Sequence, residues 1–155
     1  MKVRFADEND AGEISKVYEE WYSFKGILPD EMIMPEPKEK ISGNILNKKR
    51  KYLVAVVDNQ IVGVCYIDTS FIKLQNIRLG NMIIKEKYRR RGIASGLISK
   101  IKEFALKNNV KKIWLWTQEE LSDAIKCYEK NGFKLEGKQK SQFCGKDALL
   151  YGLVL

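Results

Sequence analysis

Between Ile77 and Ala105 the apolar residues change their spacing, and the change falls on a short basic loop that ends in glycine. Ile77–Ile84 reads as a strand, whereas Ile93, Leu97, Ile98, Ile101, Phe104 and Ala105 recur at the interval of one helix face. A strand that feeds a helix through so short a loop leaves the N–H groups of the first helical turn without partners, aimed along a favourable dipole. Gly92 and Ala94 put almost no side chain over those amides, and Arg89, Arg90 and Arg91 add positive charge. The arrangement suits a pyrophosphate. Neither G-x-x-x-x-G-K-[ST] nor G-x-G-x-x-G occurs, so it is neither a P-loop nor a dinucleotide fingerprint.

The same two periods alternate along the rest of the chain. Lys2–Phe5 is short and extended, and Asp10-x-x-Glu13 has the spacing of a capping box with Asp in the cap position. Ile14, Val17, Tyr18 and Trp21 then share a helical face, ended by Gly26 and Pro29. Pro35 and Pro37 open a second helix with the stripe Ile41, Ile45, Leu46. The run Lys48-Lys49-Arg50-Lys51 reads as its solvated end, where cations suit the helix dipole.

Tyr52–Val57 and Ile61–Ile67 form a hairpin around Asp58-Asn59-Gln60, and Gly80 hints at a bulge or a close backbone approach in the strand that follows. Asn108-Asn109 closes the helix that begins at Ile93, and Ile113–Thr117 is a strand with Trp114 and Trp116 on one side. Ser122–Lys130 is a helix stopped by Asn131-Gly132. Phe133–Lys140 and Ala148–Leu155 are strands around a turn at Gly145-Lys146. The order β-α-α-β-β-β-α-β-α-β-β predicts one α/β domain over residues 1–155, of the α+β kind, with helices on the faces of a mixed sheet.

Composition removes whole classes of chemistry. The 155 residues are 45% apolar and 31% charged, as in a soluble domain with a real core. Apolar stretches are strand-sized, so no helical membrane span is expected. The first residues carry no apolar h-region, and the cytoplasm is the expected compartment. There is no histidine, which excludes Ser-His-Asp and Cys-His hydrolysis and any His-ligated metal. Cys65, Cys127 and Cys144 are isolated and read as reduced thiols, and no Asp/Glu cluster has metal-ligand spacing. A net charge of +8 favours polyanions: phosphate-rich cofactors, nucleic acid or acidic membrane.

Arg89-x-x-Gly92-x-Ala94 matches the R/Q-x-x-G-x-G/A signature of the GNAT superfamily, the acyl-CoA-dependent N-acetyltransferases. Some thirty-five residues on, Ala124-Ile125-Lys126-Cys127-Tyr128-Glu129-Lys130-Asn131-Gly132-Phe133 resembles that family's A-x-x-x-Y-E-K-x-G-F element, and the order of elements is similar from end to end.

The resemblance implies a GNAT-like fold and acetyl-CoA as co-substrate, its pantetheine arm between the splayed fourth and fifth strands. Backbone groups of Met82, Ile83 and Ile84 would pair with the arm, and the N–H of Ile84 or one beside it would polarise the thioester. Amides of Arg89, Arg90, Arg91, Gly92, Ile93, Ala94 and Ser95 would hold the pyrophosphate. Tyr128 would protonate the departing thiolate.

Two positions depart from the family pattern. Leu121 stands where an asparagine often contacts the cofactor, with Ser122 the nearest substitute. No carboxylate lies within Ile77–Ile84 or Ile113–Gln118; Glu119 is the candidate base, Glu20 or Asp68 could reach in from elsewhere, and water is the remaining route. Tyr22 and Phe24 are the candidate walls for the acceptor amine, while Trp21 falls on the core stripe. The acceptor is expected to be a small-molecule or peptide amine, with the oligomeric state, a homodimer included, left open. The alternative is a basic module that binds RNA or a ribosome through Arg89–Arg91 and Lys48–Lys51, although no aromatic motif accompanies those arginines as a stacking platform.

Overall fold

Asp58 and Asn59 both take left-handed φ (48° and 58°), the two-residue type I′ turn whose twist matches the strands it joins. It pairs β2 (Arg50–Val57) with β3 (Gln60–Asp68). These strands anchor a computed structural model that describes residues 1–48 and 50–155. Around them lie β1 (Lys2–Phe5), β4 (Asn76–Ile84), β5 (Lys112–Thr117), β6 (Lys134–Phe143) and β7 (Lys146–Val154). The seven strands form one sheet in the order β1-β2-β3-β4-β5-β7-β6, antiparallel except between β4 and β5. The element order is the one expected from the pattern of apolar residues.

Each face of the sheet has its own core. Helices α3 (Ile93–Lys107) and α4 (Ser122–Lys130) cover one face, burying Leu97, Ile98 and Ile101 against Leu53, Ile77 and Ile113. The other face is covered by α1 (Ala11–Tyr18) and α2 (Lys38–Leu46), with Ile14, Tyr18 and Ile41 packed on Tyr52, Val54 and Tyr66. Each buried side chain of this size contributes about 1.5–3 kcal/mol. No described helix is long and apolar enough to cross a membrane.

Several local expectations shift. The capping box lies three residues earlier than expected: the Asp7 side chain caps a 3-10 turn over Glu8–Asp10, and the Asp10 carboxylate returns to the Asp7 N–H. Asp10 is drawn there by Arg4, which binds both its oxygens at 2.6 and 2.8 Å, so it caps nothing in α1. Helix α1 ends at Tyr18 and tightens into a 3-10 helix over Glu19–Phe24. Leu46, assigned to the α2 stripe, is exposed, because α2 frays there into Asn47 and Lys48. The last hairpin turns at Cys144-Gly145, one residue before the expected position.

The basic run is not a solvated helix end. Lys49 lies outside the described residues, and Arg50 and Lys51 already belong to β2. Arg50 stacks over Tyr66 at 4.2 Å and donates to the buried Glu36 at 2.7 Å. Tyr52 also donates to Glu36 at 2.7 Å, so this carboxylate is buried with its charge and lone pairs satisfied.

Gly80 meets both expectations. The register slips by one residue between Val64 and Tyr66, a bulge that includes Asn81 at φ 42°. A Cβ on Gly80 would overlap the Tyr66 ring. Gly80→Ala therefore lowers stability by about 1–3 kcal/mol, measured by urea unfolding, and a second change of Tyr66→Leu recovers part of that loss.

Candidate active site

The parallel pairing of β4 with β5 covers only Asn76–Arg78 against Lys112–Trp114. Beyond those residues β5 stays with β7 through Thr117, while β4 stays with β3 through Ile84. The two strands part, and a cleft of about 810 Å³ opens between them. Its lining draws on both cores: Leu79, Ile93 and Tyr128 from one, Trp21, Leu28 and Ile83 from the other. The cleft therefore passes through the sheet.

Strand alternation decides which β4 groups face it. The Lys85 N–H donates to the Val62 carbonyl at 2.9 Å, and Ile83 is opposite Val64, so Lys85 and Ile83 point towards β3. Met82 and Ile84 point the other way, into the gap. The Ile84 carbonyl there accepts from Arg89 Nε at 3.0 Å, which leaves the Ile84 N–H and both backbone groups of Met82 facing the cleft.

The loop after β4 delivers the anion cradle. Tyr88 and Arg89 N–H groups close a 3-10 turn onto Lys85 and Glu86 carbonyls. Arg90 and Gly92 then adopt left-handed φ of 60° and 77°, turning the chain into α3. Among the described residues no carbonyl accepts from the N–H groups of Arg90 through Ser95; the first such bond runs from Gly96 to Gly92 at 2.9 Å. A Cβ on Gly92 would meet only open space. Bare amides at a helix N-terminus, opening onto the cleft, form an anion-binding concavity.

On the opposite wall, α4 presents Tyr128. Its ring packs edge-on to Phe133 at 5.8 Å, and burial raises its phenol well above the ordinary tyrosine range. It lines the cleft with Ser122 and Leu121, which begin α4.

The acetyltransferase (GNAT) family model matches residues 14–133. The chain belongs to the GNAT acetyltransferase family. The fold of this GNAT chain is similar to that of a GNAT-family acetyltransferase from Streptococcus pneumoniae (20% identity, 99% of this chain and 98% of that one, TM-score 0.80). A ribosomal-protein-alanine N-acetyltransferase from Brucella melitensis is similar over the whole of both chains at 20% identity and TM-score 0.81. So is a PaiA N-acetyltransferase from Thermoplasma acidophilum solved in complex with coenzyme A, at 20% identity, TM-score 0.81 and complete coverage of both chains.

Not every residue singled out in the sequence reaches the GNAT cleft. Ile83 contributes a wall but not its backbone, which β3 occupies. The Arg89 amide is spent on Glu86, and its guanidinium on the Ile84 carbonyl and Glu20 (3.4 Å). Arg91 lies over the Tyr88 ring at 5.5 Å, and Arg90 pairs with Asp123 at 3.3 Å. Ile93, Ala94 and Ser95 line the cleft, though the Ser95 hydroxyl accepts from Asn131.

Phe24 is a wall, but Tyr22 is 51% exposed, with Lys25 over its ring. The cause is the 3-10 geometry of Glu19–Phe24, which eclipses residues three apart; Trp21 and Phe24 face inward together and Tyr22 faces out. Glu119 turns away to Lys138 at 2.7 Å on the exposed surface. Glu20 is held by Arg89, and Asp68 by Arg78 and Ser70. Glu120 does line the cleft, but Lys146 holds it and keeps its carboxyl below the usual range. Gln118, just past the end of β5, is a buried wall residue that neither motif nor charge pattern marked.

The arginines thus divide into structural and solvated. Arg89→Ala strips a charged donor from the Ile84 carbonyl and lowers unfolding stability by about 2 kcal/mol. Arg90→Ala, which removes only an exposed ion pair, stays within about 0.5 kcal/mol of the parent in the same denaturant titration.

Proposed function

We propose that this GNAT chain is an acetyl-CoA-dependent N-acetyltransferase that transfers acetyl to a primary amine by direct attack within a ternary complex. One observation carries the reading: the unpartnered amides of Arg90 and Gly92–Ser95, the unpaired β4 groups of Met82 and Ile84, and the Tyr128 side chain all open onto one cleft. The amides form a cradle suited to a pyrophosphate, and the β4 groups offer a strand edge to an extended amide chain. That combination fits acetyl-CoA.

Acetyl-CoA supplies the activated acyl carbon. The Ile84 N–H donates to the developing oxyanion, a contribution of ~3 kcal/mol for a well-placed donor. The amine nitrogen bonds to that carbon from the Trp21 and Phe24 side, and the C–S bond breaks. Tyr128 gives its proton to the leaving sulfur and recovers one from solvent. Because burial raises the Tyr128 pKa, the phenol stays protonated, and so competent to donate, up to and beyond the ordinary tyrosine range. Each carboxylate first considered as base is paired elsewhere, so the amine enters neutral and its second proton passes to water.

Of the cations on which RNA binding would rest, Arg89 is paired with Glu20 and Arg50 with Glu36, while Arg90 makes only an exposed pair with Asp123.

Acetyl-CoA at a hundred times its dissociation constant raises stability by about 2.7 kcal/mol, seen as a higher melting temperature. Gly92→Val, which puts a branched side chain at φ 77° over the cradle, abolishes that shift. No shift in the parent protein overturns the reading. Tyr128→Phe keeps the shift and lowers kcat about a hundredfold, without creating or removing a basic limb below about pH 10 in the rate profile.

A further inference from the structure

Three buried side-chain atoms without hydrogen-bond partners belong to residues that line the cleft: Trp21 Nε1, Trp116 Nε1 and Gln118 Oε1. Trp21 belongs to the core on the α1/α2 side of the sheet, Trp116 packs on Phe143 of that same core at 5.8 Å, and Gln118 follows directly after β5, two positions beyond Trp116. The α1/α2 side is the one away from α3 and α4, where the anion cradle lies. A buried polar group left unpaired is unfavourable, and such groups are otherwise rare. Clustered around one cleft, they mark hydrogen bonds that a bound molecule completes; the terminal torsion of a glutamine is soft enough to bring its oxygen to the cleft surface.

The surroundings define that molecule. Phe24, Leu28, Met32 and Phe143 supply apolar and aromatic walls. Gln118 offers a neutral acceptor, matched to an amine N–H, and the two indoles offer neutral donors, matched to an oxygen. Trp116, in β5, and Gln118, just past its end, are two positions apart in nearly extended chain, roughly 7 Å between backbones, and both line the cleft, so their side chains can converge on a small polar head. The two donors and the guanidinium of Arg78, which lies 5.7 Å over the Trp116 ring, disfavour a cation here; of the carboxylates on the lining, Glu120 is paired with Lys146 and Asp123 with Arg90, and Glu31 is exposed.

We infer that the acceptor is an α-amino carbonyl unit carrying a bulky apolar side chain, its nitrogen held by Gln118 and its carbonyl oxygen by the indole N–H groups. The inference rests on the acetyltransferase reading above and specifies its second substrate. Polyamines and aminoglycosides are excluded by it.

Two of the protein's three tryptophans line the cleft, so intrinsic fluorescence reports acceptor binding without any turnover. Phenylalaninamide is expected to shift the emission and to be acetylated, whereas phenethylamine, which lacks the carbonyl, shows a KM about tenfold higher, and spermidine gives neither response. Gln118→Leu raises the KM for phenylalaninamide about tenfold and changes kcat less than twofold, with the acetyl-CoA melting shift intact as proof of folding. Preference for spermidine, equal KM for the two aromatic amines, or an unchanged KM in Gln118→Leu overturns the inference. Loss of the acetyl-CoA shift in the parent protein, with the fluorescence response to phenylalaninamide retained, overturns the acetyltransferase reading instead.

Discussion

Two strands that stop pairing while each remains held by its other neighbour create everything this protein offers a ligand. β4 and β5 share hydrogen bonds only near Arg78 and Trp114, after which the bulge at Asn81 carries β4 along with β3 and the β7 ladder keeps β5 straight. A bulge increases local twist, and twist drives a parallel neighbour away. Backbone groups inside a sheet must be paired or solvated. Those of Met82 and Ile84 are available to a ligand because their would-be partner strand has turned elsewhere. The open edge of β4 is an unfinished ladder, and Gly80, by letting the Tyr66 ring lie against the bulge, helps keep it so.

Charge in this chain serves architecture before it serves binding. Glu36 gathers Arg50 and Tyr52 beneath α2, and burial together with that carboxylate raises the Tyr52 phenol to about 12. Glu20 ties the 3-10 segment after α1 to the loop after β4 through Arg89 and the Glu86 N–H. The latter contact joins the Trp21 and Phe24 side of the cleft to the side that carries the bare helix N-terminus. What the loop turns towards the cleft is chiefly the helix N-terminus itself, whose partial positive charge needs no side chain.

Much of the fold was legible because its signals are local. Helix α4 begins at Ser122 and ends at Lys130 as periodicity and Gly132 require, and the Asp58-Asn59 turn needs only residues that tolerate left-handed φ. The misplacements have local causes of another kind. Asp10 has the chemistry of a cap, yet Arg4, six residues away and across a strand end, binds it more strongly. Tyr22 and Trp21 are adjacent aromatics, and only the tightening from α to 3-10 geometry separates wall from surface. Glu119 was a plausible base until β6 brought Lys138 against it.

The sequence by itself determined the order of elements, the family motifs and the bare helix N-terminus, since each depends on residues within a few positions of one another. Only the tertiary structure decided which arginines remain free, which carboxylates are neutralised, and that Gln118 joins Trp21 and Trp116 at one cleft. The physical reason is range: hydrogen-bond satisfaction inside a fold depends on groups that topology brings together from distant parts of the chain, and no local pattern encodes which of them will be left without a partner.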